Sequence, residues 1–212
     1  MNSVVVIDYG MGNLRSVAKA IEHVAPQARV LVTSDAGQVA AAARVVFPGQ
    51  GAMPDCMAQL AERGLRDAVI DAAARKPFLG ICVGLQMLFG HAEEGDVTGL
   101  EILSGRVPRF PQAAMVAPGG GRLKVPHMGW NEVRQSGGHS LWAGIPDSER
   151  FYFVHSYFVE PTDRSVVAGT TDYGIPFTSA VARDNIFAVQ FHPEKSAQAG
   201  LALLGNFMRW NP

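Results

Sequence analysis

The chain lacks several features that would place it in common classes of protein. It has two cysteines, Cys56 and Cys82, and its N-terminus does not resemble the charged, then apolar, then small-residue pattern of a signal peptide. We therefore expect reduced thiols and a cytoplasmic location. A formal net charge of −1 gives no electrostatic case for binding nucleic acid or an anionic membrane. No uncharged apolar run reaches the ~18 residues of a membrane span.

Apolar residues are abundant, and their spacing predicts an α/β fold. They make up 48% of 212 residues, enough for one large core, so we expect residues 1–212 to form a single domain. In the first half, apolar runs alternate with segments of helical spacing, which is the rhythm of a parallel sheet built from βαβ units. The predicted strands are 4–7, 29–31 and 45–47; the predicted helices are 14–24, a short Ala-rich segment, and 55–74 with Gly64 kinking or dividing it.

The second half, from Gly99 onward, predicts short β-rich pieces separated by turns. We expect these pieces to add antiparallel strands to the central sheet; they are residues 151–154, 166–170, 177–181 and 186–190, followed by a helix at 201–210. Residues 112–121, rich in Ala, Pro and Gly, predict a flexible surface loop. The predicted fold class is therefore α/β, with a central, mostly parallel sheet flanked by helices and antiparallel additions in the C-terminal half.

Cys82 lies between a short predicted buried strand, 77–81, and a segment of helical spacing, 83–89. A sharp turn from strand to helix exposes a side chain above the sheet, close to N–H groups that stabilise a thiolate and an oxyanion. The pattern predicts a nucleophile, although a single cysteine at a buried junction is also typical of inert packing. Cys56, near a predicted helix start, is expected to pack only.

A second cluster, His192-Pro193-Glu194, follows the strand predicted at 186–190. An imidazole that titrates near neutrality can deprotonate a thiol and later protonate a leaving amine. Glu194 can orient His192 and stabilise its charged form, and Pro193 stiffens the backbone between them. Taken singly, the two side chains are typical of a surface histidine and a solvated carboxylate. Together with Cys82 they predict a catalytic triad.

The turn Gly49-Gln50-Gly51 follows the strand predicted at 45–47. Its glycines let backbone N–H groups approach a substrate carbonyl, so we predict an oxyanion hole formed with the N–H of Val83. Read without its neighbours, the segment is typical of a simple turn. Its glycine spacing does not match a dinucleotide fingerprint or a P-loop.

Six motifs in order carry a resemblance to a known family; they are residues 7–14, 47–49, 80–86, 126–131, 153–157 and 190–196. With them the chain resembles the triad-type, class I glutamine amidotransferases and, more narrowly, the glutaminase subunits of imidazole glycerol phosphate synthases from histidine biosynthesis. Gln50 departs from the aliphatic residue that is common in the family's oxyanion loop.

The resemblance implies a flavodoxin-like core and a glutaminase that uses neither a cofactor nor a metal. Cys82 would attack the side-chain amide of glutamine, His192 would protonate the departing ammonia, and water would hydrolyse the thioester. The residues implied to hold the amino-acid part of glutamine are Gln86, His155, Ser156 and Tyr157.

The resemblance also implies a partner, a (β/α)8-barrel cyclase in a heterodimer. This cyclase would use the ammonia to convert the ribonucleotide PRFAR to imidazole glycerol phosphate and AICAR. The residues expected near the partner are Tyr9, Asn13, His127, Met128, Gly129, Trp130, Asn131 and Lys195, although on composition alone Trp130 is more typical of a core. Two alternatives remain. The chain could be the glutaminase subunit of another synthase, of the anthranilate, GMP or pyridoxal phosphate type. It could also be a regulatory scaffold without activity, an interpretation that the intact triad residues disfavour.

Overall fold

The computed structural model describes residues 3–117 and 119–212. Apolar segments of the first half form strands. Three of these strands are buried along almost their whole length, on both faces, as expected for a parallel sheet covered by helices. The elements of this half are β1 (Ser3–Ile7), α1 (Leu14–Val24), β2 (Arg29–Thr33), α2 (Ala36–Ala41), β3 (Arg44–Gly49), α3 (Met53–Glu62), α4 (Arg66–Arg75), β4 (Phe78–Cys82) and α5 (Val83–Gln86).

The second half contributes strands of unequal length and one long helix. Its elements are β5 (His91–Ala92), β6 (Val97–Thr98), β7 (Gly105–Val107), β8 (His127–Gln135), β9 (Glu149–His155), β10 (Glu160–Pro161), β11 (Val167–Tyr173), β12 (Ile175–Arg183), β13 (Ile186–Val189) and α6 (Ala197–Arg209). Among the described residues, no helix is long and apolar enough to cross a membrane.

One mixed sheet organises the molecule, with strand order β2-β1-β3-β4-β13-β12-β11-β8-β9. Neighbours from β2 to β13 run parallel, and those from β13 to β9 run antiparallel. The predicted parallel core with antiparallel additions in the C-terminal half is therefore confirmed. One predicted addition is corrected: the strand at 186–190 forms β13, which runs parallel to β4 and antiparallel only to β12. A smaller sheet of order β10-β7-β5-β6 was not predicted, because strands of two or three residues carry no periodic signal.

Gly64 divides the helical segment predicted at 55–74. Helix α3 ends at Glu62 and α4 begins at Arg66, and Gly64 between them has φ = 64°, a value that glycine adopts without strain. The helix predicted at 83–89 is shorter than expected and ends at Gln86. The loop predicted at 112–121 includes residue 118, which lies outside the described residues; within its described part, Gln112–Ala114 forms a 3-10 turn.

The topology brings the carboxyl ends of three parallel strands to one edge of the sheet. Gly49, at the end of β3, is paired with Cys82, at the end of β4. Strand β13 lies on the other side of β4, with Val189 paired with Ile81. His192 follows three residues after β13, so the strand order itself carries it to the neighbourhood of Cys82.

Candidate active site

The Cys82 backbone adopts a conformation that a residue with a side chain rarely takes, φ = 56° and ψ = −113°. The flanking glycines make this turn possible through close packing. A Cβ added at Gly84 would collide with the carbonyl oxygen of Phe47, and one at Gly80 would meet the Ala188 Cβ at 2.9 Å. A strained turn that its surroundings hold in place is typical of a functional position, and here it aims the Cys82 thiol into a cavity.

His192 and Glu194 form a buried pair beside this thiol. The His192 Nδ1 lies 3.0 Å from a Glu194 carboxylate oxygen, and the two side chains are 7% and 1% exposed. The second carboxylate oxygen of Glu194 has no hydrogen-bond partner among the described residues. Because a buried carboxylate needs a compensating charge, the imidazolium form of His192 is its natural counterion.

The electrostatics of His192 follow from this arrangement. Burial opposes its charged form, but the charge and hydrogen bond of the Cys82 sulfur, together with Glu194, raise the pKa of His192 to about 10. A thiolate facing an imidazolium is the reactive form of a cysteine nucleophile.

The backbone around His192 is held by Ser196, a residue that the sequence did not single out. The Ser196 hydroxyl donates to the His192 carbonyl at 2.6 Å and accepts from the Tyr152 N–H at 3.0 Å. The His192 N–H in turn donates to the Tyr152 carbonyl at 2.9 Å. These bonds tie the turn after β13 to strand β9 and fix where the imidazole points.

The thiol opens into a cavity of about 310 Å³. Its lining combines most of the predicted site residues with three that were not predicted, Glu94, Pro126 and Val154. Gly49 and Glu194 do not line it. The predicted residues in the lining are Gln50, Gly51, Cys82, Val83, Gln86, His155, Ser156, Tyr157, His192 and Lys195.

Gln86 uses both of its amide hydrogens within the protein. Its Nε2 donates to the Tyr157 carbonyl at 3.1 Å and to the Gln190 Oε1 at 3.0 Å. The Gln190 Nε2 then points at the Cys82 sulfur, 3.8 Å away. Gln86 can therefore offer a ligand only its carbonyl oxygen, whereas Gln190, fully buried, places a hydrogen-bond donor on the nucleophile.

The turn predicted as an oxyanion hole borders the thiol. The Cys56 thiol donates to the Gln50 carbonyl at 3.5 Å, and Gly51 has φ = 97°. The carbonyl and N–H of one trans peptide point in opposite directions, so the Gly51 N–H points away from Cys56. Cys56 is buried and does not line the cavity, whereas Gln50 and Gly51 do.

Glu94 supplies a negative charge at the rim of the cavity. It begins the 3-10 turn Glu94–Asp96, and its carboxylate accepts from the Met53 N–H at 2.8 Å, at the start of helix α3. The N-terminus of a helix attracts negative charge, so this bond holds the Glu94 carboxylate in place. No local sequence pattern marks Glu94, whereas Gln190 could have been found, because it alternates with His192 on one face of an extended segment.

Two residues that the sequence predicted at a partner interface lie in the interior. Tyr9 is 0% exposed, with its hydroxyl 3.7 Å from the Met87 sulfur, and His127 is 3% exposed. The expectation for both is corrected, because neither side chain presents surface to another protein. On the same strand as His127, Met128 and Trp130 are 62% and 43% exposed. The remaining predicted residues are Asn13, Gly129 and Asn131, which are half-buried, and Lys195, which is exposed.

The fold and this geometry define a cysteine-dependent hydrolase, with its nucleophile on a strand-to-helix elbow and a histidine-glutamate pair beyond the adjacent strand. Residues 5–210 match the family described as "Glutamine amidotransferase class-I". The chain belongs to this family and, within it, to the imidazole glycerol phosphate synthase subunits named HisH.

The assignment to the HisH subunits rests on highly similar proteins of that name. The subunit HisH of Aromatoleum aromaticum is 72% identical over 212 residues, covering 100% of both chains. The subunit of the same name from Dechloromonas aromatica is 67% identical over 210 residues, covering 99% of this chain and 97% of that one. A crystal structure of a glutamine amidotransferase shares the fold, with a TM-score of 0.68 at 17% identity and coverage of 93% of this chain and 94% of that chain.

Proposed function

We propose that this chain hydrolyses glutamine to glutamate and ammonia at the Cys82 cavity, as the glutaminase subunit of an imidazole glycerol phosphate synthase. The observation that carries the proposal is the strained Cys82 thiol facing His192, whose other nitrogen is held by Glu194 at 3.0 Å. The whole of residues 1–212 would act as one amidotransferase domain, in the cytoplasm.

The reaction would proceed through a covalent intermediate. The Cys82 thiolate attacks the amide carbon of the glutamine side chain, and the carbonyl π electrons move onto oxygen. The N–H groups of Val83 and Gly51 stabilise that oxyanion. As the tetrahedral intermediate collapses, His192 gives its proton to the nitrogen, the C–N bond breaks and ammonia leaves. Water, deprotonated by His192, then attacks the thioester, releasing glutamate and restoring the thiolate.

The charges of the cavity suit the amino-acid part of glutamine. Glu94 would pair with the α-ammonium group, and the Gln86 carbonyl oxygen would accept a second hydrogen bond from it. The backbone of residues 155–157 would hold the α-carboxylate. These contacts place the amide within reach of Cys82.

The ammonia produced would pass to a (β/α)8-barrel cyclase in a heterodimer, which converts PRFAR to imidazole glycerol phosphate and AICAR. Free ammonia is mostly protonated at neutral pH and then no longer nucleophilic, so direct transfer preserves its reactivity. Met128 and Trp130, large apolar side chains exposed on β8, are the proposed anchors for this partner, with Asn13, Gly129, Asn131 and Lys195 around them.

The test measures glutamate release from glutamine by the chain alone, and then with the cyclase and its bound ribonucleotide. We expect little activity alone and a large rise with both additions, because a glutaminase that leaks ammonia wastes its substrate. Cys82→Ala in the assembled complex should abolish glutamine-dependent synthesis and leave synthesis from added ammonia intact. No rise on adding the cyclase, or loss of both activities in a folded Cys82→Ala complex, would contradict the proposal.

A further inference from the structure

His127 and His155 form a buried pair that joins strand β8 to the cavity. The His127 Nδ1 lies 2.9 Å from the His155 Nε2, and the His155 Nδ1 lies 2.8 Å from the Tyr157 carbonyl oxygen. On its other side, the His127 Nε2 lies 3.3 Å from the Asn131 Nδ2. The catalytic steps proposed above use neither imidazole.

These three contacts form one hydrogen-bonded series from Asn131 through His127 and His155 to Tyr157. The Tyr157 carbonyl at its end fixes the direction of each bond. A carbonyl oxygen only accepts, so the His155 Nδ1 must carry the proton. A neutral imidazole has one N–H, so the His155 Nε2 accepts, and the His127 Nδ1 donates to it. The His127 Nε2 is then an acceptor for the amide of Asn131. Burial lowers the pKa of both rings, to about 4 for His127 and about 3 for His155, which keeps them neutral near pH 7.

Aromatic packing holds the His127 ring in this orientation. The ring stacks against Tyr173, with centroids 4.0 Å apart, and against Phe153, with centroids 4.9 Å apart. Tilting the imidazole out of its plane would break both stacks, and a flip within the plane would replace both ring nitrogens by carbons at His155 and Asn131, so its Nδ1–H remains directed at His155.

The series reaches the nucleophile through the residues that line the cavity. The Tyr157 carbonyl accepts from His155 and also from Gln86, at 3.1 Å. Gln86 in turn donates to Gln190, whose amide points at the Cys82 sulfur. The N–H of the same peptide, that of Phe158, donates to the Pro108 carbonyl at 3.0 Å, so His155 and Gln86 set the fine position of a carbonyl whose peptide is already anchored.

We propose that His127 is a positioning residue for glutamine hydrolysis, whose Nδ1–H bonds the His155 Nε2 and holds that ring where its own Nδ1–H fixes the Tyr157 carbonyl and, through it, the Gln86 side chain in the glutamine cavity. Without that donor, the His155 Nε2 is left without a hydrogen-bond partner in the interior, the ring is free to turn, and its Nδ1–H bond to the Tyr157 carbonyl weakens. The carbonyl would shift and Gln86 would lose its position. This inference rests on the glutaminase activity proposed above.

The first measurement records the imidazole 15N resonances of the labelled chain in the unlabelled assembled synthase. We expect His155 to be protonated at Nδ1 in the unsubstituted protein, and its Nδ1 resonance to shift in His127→Leu as the hydrogen bond to the Tyr157 carbonyl weakens. His127→Asn, which keeps an N–H near the position of Nδ1, should restore the original resonance. A His155 that is protonated at Nε2 in the unsubstituted protein overturns the inference, whether or not glutamine is hydrolysed, and this result requires no variant to fold.

The second measurement is the glutamine KM and kcat of the same complexes. His127→Leu should raise KM about tenfold with a smaller effect on kcat, the size expected for one lost hydrogen bond in the binding site, and His127→Asn should recover most of it. Val133→Ala, a cavity-forming change in the buried part of the same strand, is the control and should leave KM unchanged. An equal rise in KM for the control, or no rise for His127→Leu, contradicts the inference. Absence of glutamate release by the unsubstituted complex would instead refute the proposed function.

Discussion

The Cys56 thiol donates a hydrogen bond to the carbonyl oxygen of Gln50, at 3.5 Å, from behind the turn that borders the nucleophile. Burial raises the pKa of Cys56 to about 11, so it is a neutral S–H donor at neutral pH. The bond fixes the Gln50 peptide with its carbonyl toward Cys56 and the Gly51 N–H pointing away from Cys56. Cys56 thus packs in the core, as the sequence predicted, and also donates this hydrogen bond.

Removal of this thiol should impair the proposed oxyanion hole. Cys56→Ala should lower kcat about threefold to tenfold, because the Gln50 peptide can then rotate and withdraw a donor from the developing oxyanion. Cys56→Ser keeps a hydroxyl donor and should stay close to the unsubstituted value. Steady-state glutamate release by the assembled synthase measures both; equal losses in the two variants would mean that the hydrogen bond is not responsible.

Loss of the Glu94 charge should weaken glutamine binding. Glu94→Gln keeps the size of the side chain but removes the negative charge proposed to pair with the α-ammonium group, so KM should rise about 10-fold to 100-fold. Glu22→Gln, an exposed change on α1, is the matched control and should leave KM unaltered. A normal KM in Glu94→Gln would move the α-ammonium site elsewhere in the cavity.

The raised pKa of His192 predicts a specific dependence on pH. Since its pKa is about 10 in the folded chain, against an ordinary 6.5, its charged form stabilises the folded state. This contribution is complete below pH ~6.5 and is lost as the pH rises toward 10. Chemical denaturation between pH 6 and pH 10 should therefore show a loss of stability that is absent from His192→Gln.

The contribution of Cys82 to the raised pKa of His192 can be measured directly. Cys82→Ala removes the negative partner that helps raise the pKa of His192, so an NMR titration of its imidazole should give a lower pKa than in the unsubstituted chain. An unchanged pKa would show that Glu194 alone sustains the charged form.

Trp130 should carry much of the affinity for the cyclase. Aromatic side chains at the centre of an interface commonly contribute ~2 kcal/mol or more, so Trp130→Ala should weaken binding about 30-fold or more. Val32, 44% exposed on strand β2 at the far edge of the sheet, provides the control, and Val32→Ala should bind normally. Isothermal titration with the cyclase compares the two; similar affinities would place the interface on another face.

The sequence predicted the features of the site that depend on local geometry. The glycines beside Cys82 predicted the elbow. The strand before His192 was predicted among the antiparallel additions, so the parallel pairing with β4 that brings His192 to Cys82 was not foreseen. It could not predict the burial of Tyr9 and His127, because aromatic rings suit an interface and a core equally well. Glu94 escaped notice because the small sheet that positions it consists of strands too short to leave a pattern.

Strand β8 was also missed, for a different reason. Its alternation of buried and exposed side chains begins within a motif that matched the family, and Gly129, with φ = 135°, interrupts the run of strand-forming residues. The segment was therefore interpreted for its surface residues alone. Its interior face, with the His127 imidazole, emerges only when β8 pairs with β9.

The position of β13 has a consequence for synthesis of the chain on the ribosome. This strand lies in the middle of the sheet, between β4 and β12, although Gln190 is 108 residues from Cys82 in the sequence. Pairing over such a distance closes a long loop and comes late in folding. A nascent chain that has emerged only through β12 has its nucleophile but no base, so it cannot yet release ammonia into the cell.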